Sequence, residues 1–230
     1  MRLDRVSSRR LATLVLLVLA SGLCVALVAV RIGRTGTLEY RFLVWNLFLA
    51  WLPFVFALAL YDGYRRGRGA LYLGGCGVLW LLFLPNAPYI LTDFVHLSEP
   101  GAAPLWYDAA TVAAFAFTGL VLGLGSLMLV QTVVTAARGP ATGWAVGLGT
   151  LGLASVGIYL GRFVGVNSWD ALVDPARVLA PFAEKLDESL VHPRFLAVTA
   201  VFTAFLVLAY LLLYALAQPS LALEPRRPRR

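Results

Sequence analysis

Asp93 and His96 stand three residues apart. If helical backbone runs through them, they share one face. An imidazole beside a carboxylate is an acid–base pair, or two ligands of a divalent cation. Two ligands do not make a metal site, so no metal is assigned; Glu99, Asp108, Asp170 and Asp174 are the acids that could supply a third ligand. A hydrogen-bonded cap on a helix end is the plainer use of the same two groups. Arg162 is the second candidate. It sits in Tyr159-Leu-Gly-Arg-Phe-Val-Gly-Val-Asn-Ser-Trp-Asp170, with Tyr159, Asn167, Ser168 and Asp170 around it. A guanidinium there either makes a bidentate pair with Asp93 or Asp170, as a structural clasp, or holds a phosphate or carboxylate group of a ligand. Asn46, Asn86 and Tyr89 complete the polar set.

These groups need elements to hold them, and the composition says which. Of 230 residues, 60% are hydrophobic and 13% charged. A soluble domain carries roughly a quarter charged residues, and disordered chains are poor in apolar ones. Apolar runs of about 20 residues span the ~30 Å of bilayer hydrocarbon. Six are present, at 11–30, 42–61, 69–91, 107–136, 143–162 and 195–217. The sequence therefore predicts an all-α polytopic membrane protein with six transmembrane helices. Its parts are a first segment at 1–41 (N-terminus, first helix and outer loop), a membrane domain at 42–217 and a basic tail at 218–230. Cys24 and Cys76 each lie in an apolar run and form no disulfide framework. The first run is read as an uncleaved helix, because it is longer than a signal core and other spans follow.

Cationic residues set the orientation. With the N-terminus inside, twelve of the nineteen fall on inner segments, among them Arg9, Arg10, Arg65, Arg66, Arg138 and the tail from Arg226 to Arg230. Nine of the twelve acids fall outside. Both termini are expected in the cytoplasm, with membrane lipid as the surrounding partner. The net charge of +7 is then a topology signal rather than a nucleic-acid surface.

In the third span, Pro85 and Pro88 each lack an amide donor and disfavour helix in the residue before them. The helix should break there, close to its outer end. Freed carbonyls at that depth survive only inside protein or beside a wet cavity. Asn86 can satisfy one. Asn46 should face the bundle, because an amide in lipid is costly. Asp108 is explained by the dipole at the start of the fourth span. Gly119 and Gly123, Gly143 and Gly147, and Gly157 and Gly161 have the spacing that lets helices approach. They also allow homo- or hetero-oligomers. Between Ala171 and Arg194, Asp174-Pro175 starts a helix. Val178, Phe182, Leu186 and Leu190 give it an apolar side, so short amphipathic helices are expected on the outer interface.

Three segments together resemble the bacterial membrane-protein family called domain of unknown function 1361. They are Asn46-Leu-Phe-Leu-Ala-Trp-Leu-Pro53, Leu84-Pro-Asn-Ala-Pro-Tyr-Ile-Leu-Thr-Asp-Phe-Val-His-Leu97 and the Tyr159–Asp170 segment. The resemblance spans about 40–217. In the family pattern a basic residue often lies between the Arg-Phe and Asn-Ser-Trp-Asp parts; here that stretch is Val164-Gly165-Val166. The resemblance implies a multi-helix protein of the bacterial plasma membrane and implies no activity.

Three functions fit. One is a ligand or substrate site at the outer rim, lined by Asn46, Asn86, Tyr89, Asp93, His96, Tyr159, Arg162, Asn167, Ser168 and Asp170. Its ligand would be anionic or lipid-linked, and in an enzyme Asp93 and His96 would do the chemistry. A small-molecule transporter or channel is favoured by the broken helix and disfavoured by the lack of ionisable groups at mid-membrane. An accessory or scaffold subunit needs no site at all. No nucleophile elbow, zinc-protease helix or phosphate loop is present. Ser126 has no histidine at its depth, and the sequence leaves any cofactor unknown.

Overall fold

The computed structural model describes residues 2–98, 102–165 and 193–217. Among these it is helical, with no strand. The elements are α1 (Arg2–Thr35), α2 (Arg41–Arg65), α3 (Ala70–Phe83), a single turn α4 (Asn86–Tyr89), a 3-10 helix (Ile90–Ser98), α5 (Leu105–Arg138), α6 (Pro140–Tyr159), a π-helical turn (Leu160–Val164) and α7 (Pro193–Ala217). Six helical stretches are long and apolar enough to cross a membrane: 10–35, 41–65, 70–97, 105–138, 140–164 and 193–217. They coincide with the six apolar runs of the sequence. An even number of crossings returns the chain to the face where it began. The opposite face carries the 3-10 helix and the π turn, and is called the rim below.

At the centre, α5 touches α1, α2, α4, the 3-10 helix, α6 and α7. One core joins α1 and α2 to it, through Leu43, Leu47 and Phe54 against Val112, Phe115 and Leu122. A second joins α3, α6 and α7, through Trp80, Leu127, Leu151, Ile158, Leu206 and Tyr210. In lipid the side chains facing outward are apolar as well, so helices are matched by shape and by interhelical hydrogen bonds. α1 shows this plainly. Much of it is exposed and apolar, with Leu11, Leu16, Val18, Leu19 and Leu23 uncovered. Polar contacts hold it along its length. Arg10 pairs with Asp62 of α2 through two 2.8 Å bonds. The Trp51 indole donates to Ser21 Oγ, and the Tyr107 hydroxyl donates to the Leu27 carbonyl. Arg31 meets Asp108 of α5 at the rim.

The third span breaks where its prolines require. α3 ends at Phe83. The amide of Ala87 turns to the Leu84 carbonyl at 3.2 Å. That removes the donor which would have reached Phe83 one turn back, and Asn86 Nδ2 donates to the Phe83 carbonyl instead, at 3.1 Å. The break is buried against glycines. A Cβ on Gly119 would stand 2.6 Å from the Ala87 carbonyl oxygen, one on Gly123 2.9 Å from the Ala87 Cβ, and one on Gly157 2.5 Å from Pro85 Cγ. Gly143 and Gly147 likewise meet Thr135 and Gln131 of α5. All five glycines therefore meet other elements of the same chain. The amphipathic helices expected within 171–194 lie outside the described residues, apart from Pro193 and Arg194, which begin α7.

Candidate functional site

The site is assembled from irregular backbone. After the proline break the chain tightens into the 3-10 helix, whose three-residue repeat stacks side chains at i and i+3. This brings Tyr89, Thr92 and Asp93 to one corner of the rim. Opposite, α6 widens into the π turn at Leu160–Val164 and stops at Gly165, whose φ of 78° is left-handed. Single π turns are frequent at functional sites. This one carries Arg162.

Arg162 makes three polar contacts among the described residues. Its Nη2 donates to the Thr92 carbonyl at 2.6 Å, and its Nη1 lies 3.5 Å from the Tyr89 hydroxyl and 3.5 Å from Asp93 Oδ1. Its guanidinium also lies 5.8 Å from the Tyr89 ring centre. Asp93 is 1% exposed. Its other carboxylate oxygen accepts a 2.9 Å bond from Asn46 Nδ2, so the amide faces the bundle as expected. The Arg162–Asp93 pair is real but not bidentate. One end of the guanidinium is taken by a main-chain carbonyl and one carboxylate oxygen by an amide, which leaves a single point of approach. A separation of 3.5 Å is long for a charge-assisted hydrogen bond, which usually measures 2.7–2.9 Å.

His96 shares the 3-10 helix with Asp93 but makes no hydrogen bond to it among the described residues. Its ring packs on Phe42 of α2, centroids 4.8 Å apart. Among the described residues no group of three or more His, Cys, Asp or Glu side chains is placed to hold a metal ion. Asn86 is turned back to Phe83, at the break. Tyr159 packs against Phe163 and Phe195, on the α7 side. Asn46, Tyr89, Asp93 and Arg162 thus converge; Asn86, Tyr159 and His96 flank them. Asn167, Ser168 and Asp170 lie outside the described residues.

The sequence reading missed two features. Arg194, at the start of α7, lies over the ring of Phe163 at 4.4 Å, beside Arg162 in the chain. Its position just before an uncharged span was the available signal. The second is a buried cluster at the rim end of α1. Arg31, with 0% side-chain exposure, donates to both oxygens of Asp108, to Glu39 and to Thr37. Its guanidinium also lies 4.2 Å from the Tyr40 ring centre. Asp108 is therefore an ion-pair partner and not simply a dipole cap; α5 has no side-chain cap bond at its start. Deeper hydroxyls satisfy themselves on their own helices. Thr118, Ser126, Thr150 and Ser155 each bond a carbonyl in the preceding turn. Ser126 also accepts from the Trp80 indole, which gives it a structural role.

No curated protein and no solved structure matches the chain. Residues 45–209 match a family model, and the match runs from within α2 to within α7 and contains Asn46, Tyr89, Asp93 and Arg162. The chain belongs to the family described as Protein of unknown function (DUF1361).

Proposed function

We propose that the chain is a bacterial plasma-membrane protein, with both termini in the cytoplasm and the rim facing outward, that binds the anionic head of a lipid or lipid-linked envelope compound. Arg162 is the anion-binding group in this reading. Asn46 and Asp93 hold the corner in shape, and His96 beside them is the group available for acid–base work if the ligand is also a substrate. The observation that carries the reading is the 3.5 Å gap between Arg162 and Asp93. Among the described residues this guanidinium, with 18% side-chain exposure, has no carboxylate closer than 3.5 Å, which keeps donors for a second anion. Arg194 near Phe163 adds a second cation at the same corner.

A structural clasp is the second reading. It is favoured by the burial of Asp93, which links α2, the 3-10 helix and the end of α6. Lipid selection separates the two. Purified protein should retain dioleoyl phosphatidylglycerol over dioleoyl phosphatidylcholine in native mass spectrometry. Arg162→Ala should lose that selection about 10-fold or more, the value of one charge-assisted bond, and still accumulate in the membrane. If the wild type does not select, and Arg162→Ala and Asp93→Asn both fail to accumulate, the corner is a clasp.

A further inference from the structure

A cavity of about 540 Å³ lies at the other end of the bundle, between the last turns of α5 and α7. That size is within the range of small-molecule sites. Met128, Ala136 and Ala217 form apolar wall; Gln131, Thr132, Thr135 and Tyr214 bring polar atoms, and none of the described lining residues is charged. Gln131 is 5% exposed, and its Oε1 accepts the hydroxyl proton of Tyr210. Its Nε2 has no hydrogen-bond partner among the described residues, and neither has the Tyr214 hydroxyl, whose ring packs on Trp144 at 4.9 Å. Thr132 gives its proton to the Met128 carbonyl. Among the described residues the Thr135 hydroxyl is likewise without a hydrogen-bond partner, so the cavity offers donors from Gln131, Tyr214 and Thr135 and asks for an uncharged acceptor.

Depth narrows the choice. Gln131 lies seven residues before Arg138, the last residue of α5, and so about 10 Å deeper along the helix. Asp108, in the first turn at the opposite end of α5, lies 23 residues and so about 35 Å from Gln131, enough to cross the ~30 Å of hydrocarbon and bring Gln131 to the glycerol level of the other leaflet. The acceptors at that depth are ester carbonyls. We propose that this cavity is a glycerolipid site, distinct from the rim, in which Gln131 Nε2 and the Tyr214 hydroxyl donate to an ester carbonyl of a diacyl lipid from the leaflet at the face bearing the chain termini.

The test uses the intact chain, delipidated in detergent and titrated with dioleoyl phosphatidylcholine or with its diether analogue, which has the same head and chain length but no carbonyl. Native mass spectrometry should show the first bound ester lipid retained about 5-fold or more over the ether lipid, about 1 kcal/mol for a hydrogen bond to a neutral acceptor. Ala136→Trp, which fills the cavity from an exposed position, should abolish the preference without touching the Tyr210–Gln131 bond. Arg162→Ala should leave it intact. The proposal is overturned if ester and ether lipids bind alike, if the preference survives Ala136→Trp, or if it disappears with Arg162→Ala, which would assign the lipid to the rim.

Discussion

At the scale of the residue, the rim holds two arginines in opposite states. Arg31 is closely paired: Asp108 takes it at two points, and Glu39 and Thr37 at one each. Removing one partner of a fully buried pair strands the other charge, so Asp108→Asn should cost about 3–5 kcal/mol. The double change Arg31→Met with Asp108→Leu should cost less than either single one, because no charge is left behind. Glu39 is half exposed, and Glu39→Gln should cost under about 1 kcal/mol. Thermal unfolding in one detergent checks all three. Among the described residues Arg162 has one main-chain bond and two contacts at 3.5 Å. Arg162→Ala should therefore lower stability much less than Asp108→Asn does. The sequence could mark Arg162 and Asp93 as neighbours, because both fall at the outer boundary of their spans. It could not show that Asn46 would take one oxygen of Asp93, since that depends on how α2 rotates against the 3-10 helix.

At the scale of the element, the prolines at 85 and 88 make the break, and the glycines on α5 and α6 make room for it. The break itself was legible, because missing amide donors are a property of the sequence. Its partners were not. The glycine spacing says that something approaches closely, and says it equally of a neighbouring helix or of a second copy. In the structure the Pro85–Pro88 turn approaches Gly119, Gly123 and Gly157, and side chains of α5 approach Gly143 and Gly147. Gly119→Val should therefore cost about 1–3 kcal/mol by overpacking, and should disturb the rim, because Ala87 lies in the turn that leads to Tyr89 and Asp93. Gly149 on α6 has open space around its Cβ position. Gly149→Ala should be neutral or stabilise by up to about 1 kcal/mol. Comparing the two melting temperatures distinguishes specific packing from a general need for flexibility.

At the scale of the whole molecule, α1 stands apart. It lies before residue 45, where the family match begins. It leaves much of its apolar surface uncovered, and is fixed by an ion pair near each end, Arg10 to Asp62 and Arg31 to Asp108. Both pairs tie it to helices within or overlapping the matched segment, and a segment cleaved on export would leave Asp62 and Asp108 unpaired. The purified protein should accordingly retain residues 1–35 in intact-mass measurement. Span count and all-helical class were legible because lipid demands long apolar runs. Orientation rests on the distribution of arginine and lysine, and a cysteine added at either terminus of a Cys24→Ala, Cys76→Ala background should react with an impermeant maleimide only after the cells are opened. A cryo-electron microscopy structure of the protein purified with its native lipids tests anion binding at the rim. Head-group density is expected within about 3 Å of the Arg162 guanidinium, with Asn46 still bonded to Asp93. Arg162 closed onto Asp93 as a bidentate pair, with no density beside it, would overturn an anion site there.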